Sequence, residues 1–127
     1  MLKKTVTIQI IADPVEFSMD KRASFKIGIK VKNIGGKVID PKIYETVLLV
    51  NGEHNYAWDL AVQNGPREGP WWNLEPGRTV TASWPLGESM FPQPGDYDVV
   101  LRLEELESGV RVRIASPVVG TRRAARE

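Results

Sequence analysis

Chemistry in a protein begins with its nucleophiles, bases and metal ligands, and this chain of 127 residues offers few of them. It has no cysteine and a single histidine, His54. The first fact excludes disulfides, thiolate metal sites and cysteine nucleophiles. The second excludes a multi-histidine zinc centre and leaves one imidazole for proton transfer. A Ser-His-Asp arrangement needs that imidazole held by a carboxylate. Glu53 is adjacent in sequence, but neighbours on a strand point to opposite faces. Asp96 and Asp98 share one face of a strand and read as solvated carboxylates rather than as a catalytic pair across a cleft. Glu104 and Glu105 lack a cleft in the same way. No Asp-x-Asp-x-Asp-Gly calcium loop and no glycine-rich loop with the lysine and helix of a phosphate site occurs. The expectation is a non-enzyme with no catalytic residue, no metal ligand and no cofactor.

What the chain does offer is Trp71-Trp72. On a strand, two consecutive tryptophans point to opposite faces, so one enters the core and the other lies at the surface beside Pro66, Pro70 and Phe91. Aromatic anchors rimmed by arginine are the stuff of interface hot spots. The expected partner-binding residues are therefore Trp71, Trp72, Arg67 and Phe91, carried by loops at 64–73 and 85–95. A structural alternative has Trp72 capping one end of the fold and Trp71 covering an open sheet edge. Carbohydrate stacking on Trp71 is the weaker alternative.

Charge is unevenly distributed. Residues 1–42 hold nine basic and four acidic residues, residues 43–107 three and eleven, and residues 108–127 five and one. The basic ends fit a nucleic-acid surface poorly, because Lys26, Lys30 and Lys32 fall on alternate positions of one strand with no aromatic among them for base stacking. They read as a solvated face. The opposite signs attract, within the fold or between copies.

The elements that must position these residues are strands. Val6, Ile8 and Ile10 alternate with Thr5, Thr7 and Gln9 until Asp13-Pro14. Phe25, Ile27, Ile29 and Val31 alternate with polar residues until the turn Asn33-Ile34-Gly35-Gly36. A strand over 42–50 meets Asn51-Gly52, the strongest short hairpin signal, and a return strand over 53–63 places His54, Tyr56, Trp58, Leu60 and Val62 on one face. After the loop at 64–70, Glu75-Pro76-Gly77 turns into Val80, Ala82 and Trp84. Residues 85–95 are irregular. Tyr97, Val99, Leu101 and Leu103 follow, and Ser108-Gly109 turns the chain into Val110, Val112 and Ile114. About seven strands and no helical period predict an all-β, immunoglobulin-like antiparallel sandwich over residues 1–117. A basic tail over 118–127 is too poor in apolar residues to fold alone. Tyr97 lies where a tyrosine corner would.

Several phrases then resemble bacterial adhesion-related immunoglobulin-like domains of the CARDB type. They are Ile29-Lys30-Val31-Lys32-Asn33-Ile34-Gly35-Gly36, Leu49-Val50-Asn51-Gly52, Leu74-Glu75-Pro76-Gly77 with a strand ending near Trp84, and Pro94-Gly95-Asp96-Tyr97. The resemblance spans about residues 25–114. The second half also resembles the bacterial intracellular proteinase-inhibitor family BsuPI through Trp72, Leu74, Pro76-Gly77, Trp84 and Pro94-Gly95-Asp96-Tyr97. The loop at 64–70 departs from that pattern. These resemblances imply a protein-binding module of adhesion or assembly type, with a proteinase inhibitor as the alternative. The expected partner is another protein or further copies of the chain, not nucleic acid. No stretch of the sequence is apolar enough to span a membrane or to serve as a signal peptide, which slightly favours a cytoplasmic location unless the chain is a piece of a larger protein or its export signal has been removed.

Overall fold

The computed structural model describes residues 5–65 and 69–117. The basic tail over 118–127 lies outside the described residues. Eight strands form two sheets. In chain order they are β1 (Val6–Asp13), β2 (Glu16–Ser18), β3 (Lys26–Asn33), β4 (Val47–Val50), β5 (Glu53–His54), β6 (Thr79–Trp84), β7 (Gly95–Leu103) and β8 (Leu106–Ala115). One sheet has the order β1-β3-β6 and the other β2-β8-β7-β4-β5. All pairings are antiparallel except the short β2 against β8. Strand dominates in two mostly antiparallel sheets, consistent with the all-β fold that the alternation of apolar residues predicts.

One core joins the sheets. Ile27, Ile29 and Val31 from β3 and Val99, Leu101 and Leu103 from β7 are fully buried and belong to the same apolar cluster. Each such side chain contributes about 1.5–3 kcal/mol by leaving water. Gly28 on β3 reflects a close approach: a Cβ there would lie 2.1 Å from the Ala82 carbonyl oxygen of β6. Only glycine lets these two backbones come so near.

Outward faces of the sheets differ in their charge. On the five-stranded sheet, Asp96 lies opposite Arg113, Asp98 opposite Arg111 and Arg102 opposite Glu107. Each of these cross-strand couples forms an ion pair, Arg113 with Asp96 at 3.1 Å and Arg111 with Asp98 at 3.0 Å. The carboxylates at 96 and 98 are thus each paired with an arginine of β8. On the three-stranded sheet, Lys26, Lys30 and Lys32 project from β3 into solvent, with no ion pair among the described residues.

Three expectations need correction. The return strand over 53–63 is only two residues long, and Tyr56–Gln63 forms the helix α1. Residues at i, i+2 and i+4 share one face of a strand, but on a helix they alternate between opposite faces. Trp58 and Val62 accordingly face the core, while Tyr56 and Leu60 face solvent. Asn55 starts the helix by accepting the Trp58 N–H on its side chain at 3.0 Å, the satisfaction of an orphan donor that an N-cap provides.

Next, the turn expected at Ser108-Gly109 is absent. The β7–β8 hairpin closes at Glu104-Glu105, with Leu103 opposite Leu106 and Glu104 at φ 54°. Ser108 instead continues the inward alternation of β8, and its hydroxyl accepts the Ile10 N–H of β1 at 2.9 Å. Last, the strand expected over 42–50 starts only at Val47. Lys42 takes a left-handed φ of 57°, and Ile43–Glu45 is a single 3-10 turn. The irregular stretch over 85–95 also contains a one-turn helix, α2 (Gly87–Met90).

Candidate functional site

The polar centre that positions the loop carrying Trp71 and Trp72 is Asn33, which is fully buried. Its side-chain amide donates to the carbonyls of Lys37 and Leu74, both at 2.8 Å, and its Oδ1 accepts the Gly35 N–H at 2.8 Å. Its backbone donates to Arg78 O and accepts from Gly77 N. One residue thus ties the end of β3 to the 35–37 loop and Leu74 through its side chain, and to the Pro76-Gly77 turn through its backbone. Leu74 is further fixed by reciprocal backbone bonds with Ile39.

This frame shapes a shallow groove of about 440 Å³, lined by Gly69, Pro70, Asn73, Leu74, Glu75, Arg78 and Thr79. Arg78 forms no ion pair within the described residues. Trp72 belongs to the same loop and is 36% exposed, with its ring against Tyr44 at 5.4 Å between centroids. The Tyr44 hydroxyl donates to Asp40 Oδ2 at 2.9 Å. That bond, followed by desolvation, raises the phenol above its ordinary value, because the donated proton is stabilised by the carboxylate. Tyr44 is therefore a fixed, neutral platform for Trp72.

The anchor set expected from sequence does not form one surface. Trp71 is buried, 6.2 Å from Trp84, which in turn stands edge-on to Trp58 at 5.2 Å. Phe91 is also buried, in a separate cluster with Phe25 at 5.1 Å and Tyr97 at 4.8 Å. Both rings serve as core rather than as exposed anchors, since stacking against other aromatics removes them from water. Arg67 lies outside the described residues. Of the four, Trp72 is placed at the surface. The expectation of one buried and one exposed tryptophan fits this arrangement, although Trp71 ends a 3-10 turn over Gly69–Trp71, Trp72 follows it, and no strand carries either.

His54 meets a carboxylate that sequence reasoning missed. With α1 helical, Asp59 reaches back to place Oδ2 2.7 Å from His54 Nε2, and the imidazole stacks on Tyr56 at 4.2 Å. The signal was the helical spacing from Asn55. His54 lines a second cavity of about 420 Å³ with Asn51, Glu53, Asn55, Ser89 and Gln93. Ser89 donates its hydroxyl to the Leu86 carbonyl at 3.1 Å, so its proton is directed away from His54. Among the described residues, no group of three or more His, Asp or Glu side chains is placed to hold a metal ion. No described helix is long and apolar enough to cross a membrane. No protein-family model matches the chain, and no curated protein matches it either.

Proposed function

We propose that the chain is a non-catalytic protein-binding module, built as an immunoglobulin-like sandwich resembling CARDB domains, that contacts its partner through the loop over residues 69–79. The observation that carries this reading is Trp72, held over Tyr44 with a third of its surface open, on a loop whose neighbouring residues line a groove. A partly exposed aromatic beside a concave surface and an arginine with no ion pair among the described residues has the composition of an interface anchor. The immunoglobulin-like part is supported by two sheets around one core. It is supported also by Tyr97 at the start of β7, whose hydroxyl bonds back to the Gln93 backbone in the manner of a tyrosine corner. The non-catalytic part is supported by the Ser89 hydroxyl, which donates to the Leu86 carbonyl rather than to His54.

A photo-crosslinking amino acid placed at Trp72, with the same substitution at Arg102 on the ion-paired face of β7 as control, tests this in a lysate of the source organism. A discrete adduct from position 72 and none from position 102 is expected. Equal labelling from both positions, or none from 72, refutes the loop as the contact surface.

A further inference from the structure

Beyond the loop, the three-stranded sheet has an edge with a different character. β3 is its central strand, and the ladder parity follows from two bonds at its end. Asn33 N donates to Arg78 O on the β6 side, and Ile34 N donates to Thr5 O on the β1 side. Antiparallel ladders alternate bonded and non-bonded pairs. On the register Asn33 to Arg78, Val31 to Val80, Ile29 to Ala82 and Ile27 to Trp84, the bonds of β6 to β3 are made by residues 78, 80, 82 and 84. The N–H and C=O groups of Thr79, Thr81 and Ser83 therefore point away from β3. None of them has a partner among the described residues.

Natural sheets guard such edges with short strands, prolines, charges or coverage. The other edges here are guarded. β5 has two residues and β2 three. β1 lies against β8, where Ser108 caps the Ile10 N–H. β6 has six residues, Thr-Val-Thr-Ala-Ser-Trp, with no proline and no charge. Its solvent-facing side chains are the short hydroxyls of Thr79, Thr81 and Ser83, and behind them on the same face stand the unpaired Lys26, Lys30 and Lys32 of β3. The groove with Arg78 opens at the Thr79 end, where Glu75 is the one acidic residue among the described residues of the lining.

We propose that β6 is an acceptor edge for an extended, acidic segment of another protein, which adds to the sheet as a fourth strand. Backbone bonds to Thr79, Thr81 and Ser83 supply the affinity of such strand addition. Asp or Glu at alternate positions of the added strand face the three lysines across the low hydroxyl row, a span of two inter-strand spacings or about 10 Å between backbones. Long lysine and glutamate side chains close that gap. A second copy of this chain is the poorer occupant, because pairing β6 with its own symmetry mate would merge two lysine-bearing faces into one. The inference does not use Trp72, and it shares with the loop reading only Thr79 and the groove beside Arg78.

The test uses a fluorescein-labelled peptide of alternating Glu and Val, about eight residues long to cover the edge. A Lys-Val peptide and a Glu-Val peptide with alternate backbone amides N-methylated are the controls. Anisotropy should show binding of the acidic peptide that weakens with added salt, with the Lys-Val peptide inert. N-methylation, which leaves the protein untouched, should weaken binding about tenfold or more, as loss of directed backbone bonds requires. Thr81→Pro should do the same, since the Thr81 N–H lies outside the β3 ladder and proline is tolerated at such edge positions. In hydrogen exchange the Thr79, Thr81 and Ser83 amides should exchange fast in the free protein and slow with peptide, while Trp72→Ala leaves binding unchanged. Absence of binding, equal binding of the N-methylated peptide, or slow exchange of the three amides in the free protein overturns the proposal. A concentration-dependent dimer that Thr81→Pro abolishes also overturns it and assigns the edge to a second copy.

Discussion

Asn33 concentrates enough of the architecture that its removal has a calculable effect. Truncation by Asn33→Ala deletes three side-chain hydrogen bonds of 2.8 Å in a fully buried setting. The Leu74 carbonyl keeps a second donor, Ile39 N. The Gly35 N–H keeps the Thr5 carbonyl at 3.2 Å as an acceptor, and the Lys37 carbonyl loses the partner that Asn33 supplies. At about 1 kcal/mol net per bond, with a further penalty for buried groups left unpaired, the loss is about 3–4 kcal/mol. Against a total stability of about 5–15 kcal/mol that is a large fraction, and it corresponds to a fall in Tm of about 10–15 °C for a chain of this size.

Asn33→Asp sharpens the test. The shape is kept and Oδ1 still accepts from Gly35, but an oxygen now faces two carbonyl oxygens at 2.8 Å. Burial and those carbonyls raise the pKa of the new carboxyl in the folded state above its unfolded value of about 3.9. The protonated acid restores one donor. The deficit of the Asp variant should therefore be small below the unfolded value, grow as pH rises through it, and level off above the folded pKa. The Ala variant should be flat over the same range. Urea titrations of both variants at a series of pH values measure this. An Ala variant within about 0.5 kcal/mol of wild type, or an Asp variant without pH dependence, would refute the assignment of Asn33 as the polar centre of this end of the fold.

Thr46→Val should cost about 1–3 kcal/mol, because the buried Trp58 indole N–H donates to Thr46 Oγ1 at 2.9 Å and would lose its acceptor; denaturant melts check it. Leu60→Glu should change stability by less than about 0.5 kcal/mol, whereas Val62→Glu should unfold the protein by burying an unpaired charge. Circular dichroism separates the two, and equal damage by both would restore the strand reading of this segment. The raised Tyr44 phenol contributes stability that is fully present below the ordinary tyrosine value of 10.0 and is lost as pH rises through the folded value. Tyr44→Phe should remove that alkaline dependence, read from melts on either side of the phenol titration.

Much of the fold was legible in the sequence, because burial on one face of a strand leaves a period of two. β3 and β6 carry it cleanly, and β1 and β7 carry it with one interruption each, at Ile11 and Val100. The Asn51-Gly52 turn was legible for a local reason, as both residues take positive φ, 50° and 82°, which is what a two-residue hairpin demands. α1 was not legible by alternation, since its even-numbered apolar residues satisfy the strand pattern while dividing into two helical faces. Only Asn55 as a cap betrays it. The β7–β8 turn was misplaced because Ser108-Gly109 looks like punctuation, yet cross-strand pairing with Val100 and Leu101 holds both residues in a strand. At the candidate site, the sequence shows that two tryptophans cannot both be buried on a strand. Which one goes inside depends on Trp58 and Trp84 gathering at one place, a tertiary fact that adjacency does not encode. The open edge of β6 was equally hidden, because strand order decides which strand is left without a neighbour.

The two aromatic clusters have an optical consequence. Trp58, Trp71 and Trp84 meet edge to face within 5.2–6.2 Å, whereas the Phe17, Phe25, Phe91 and Tyr97 group contains no indole. Three of the four emitters therefore report on the single region where α1, the Gly69–Trp71 turn and β6 converge, and the fourth, Trp72, reports on the surface. Indole emission will follow the docking of α1 on that end of the protein and will be nearly blind to the half organised by phenylalanine. A fluorescence transition that precedes the far-ultraviolet one would thus mark release of the helix from an intact β-scaffold.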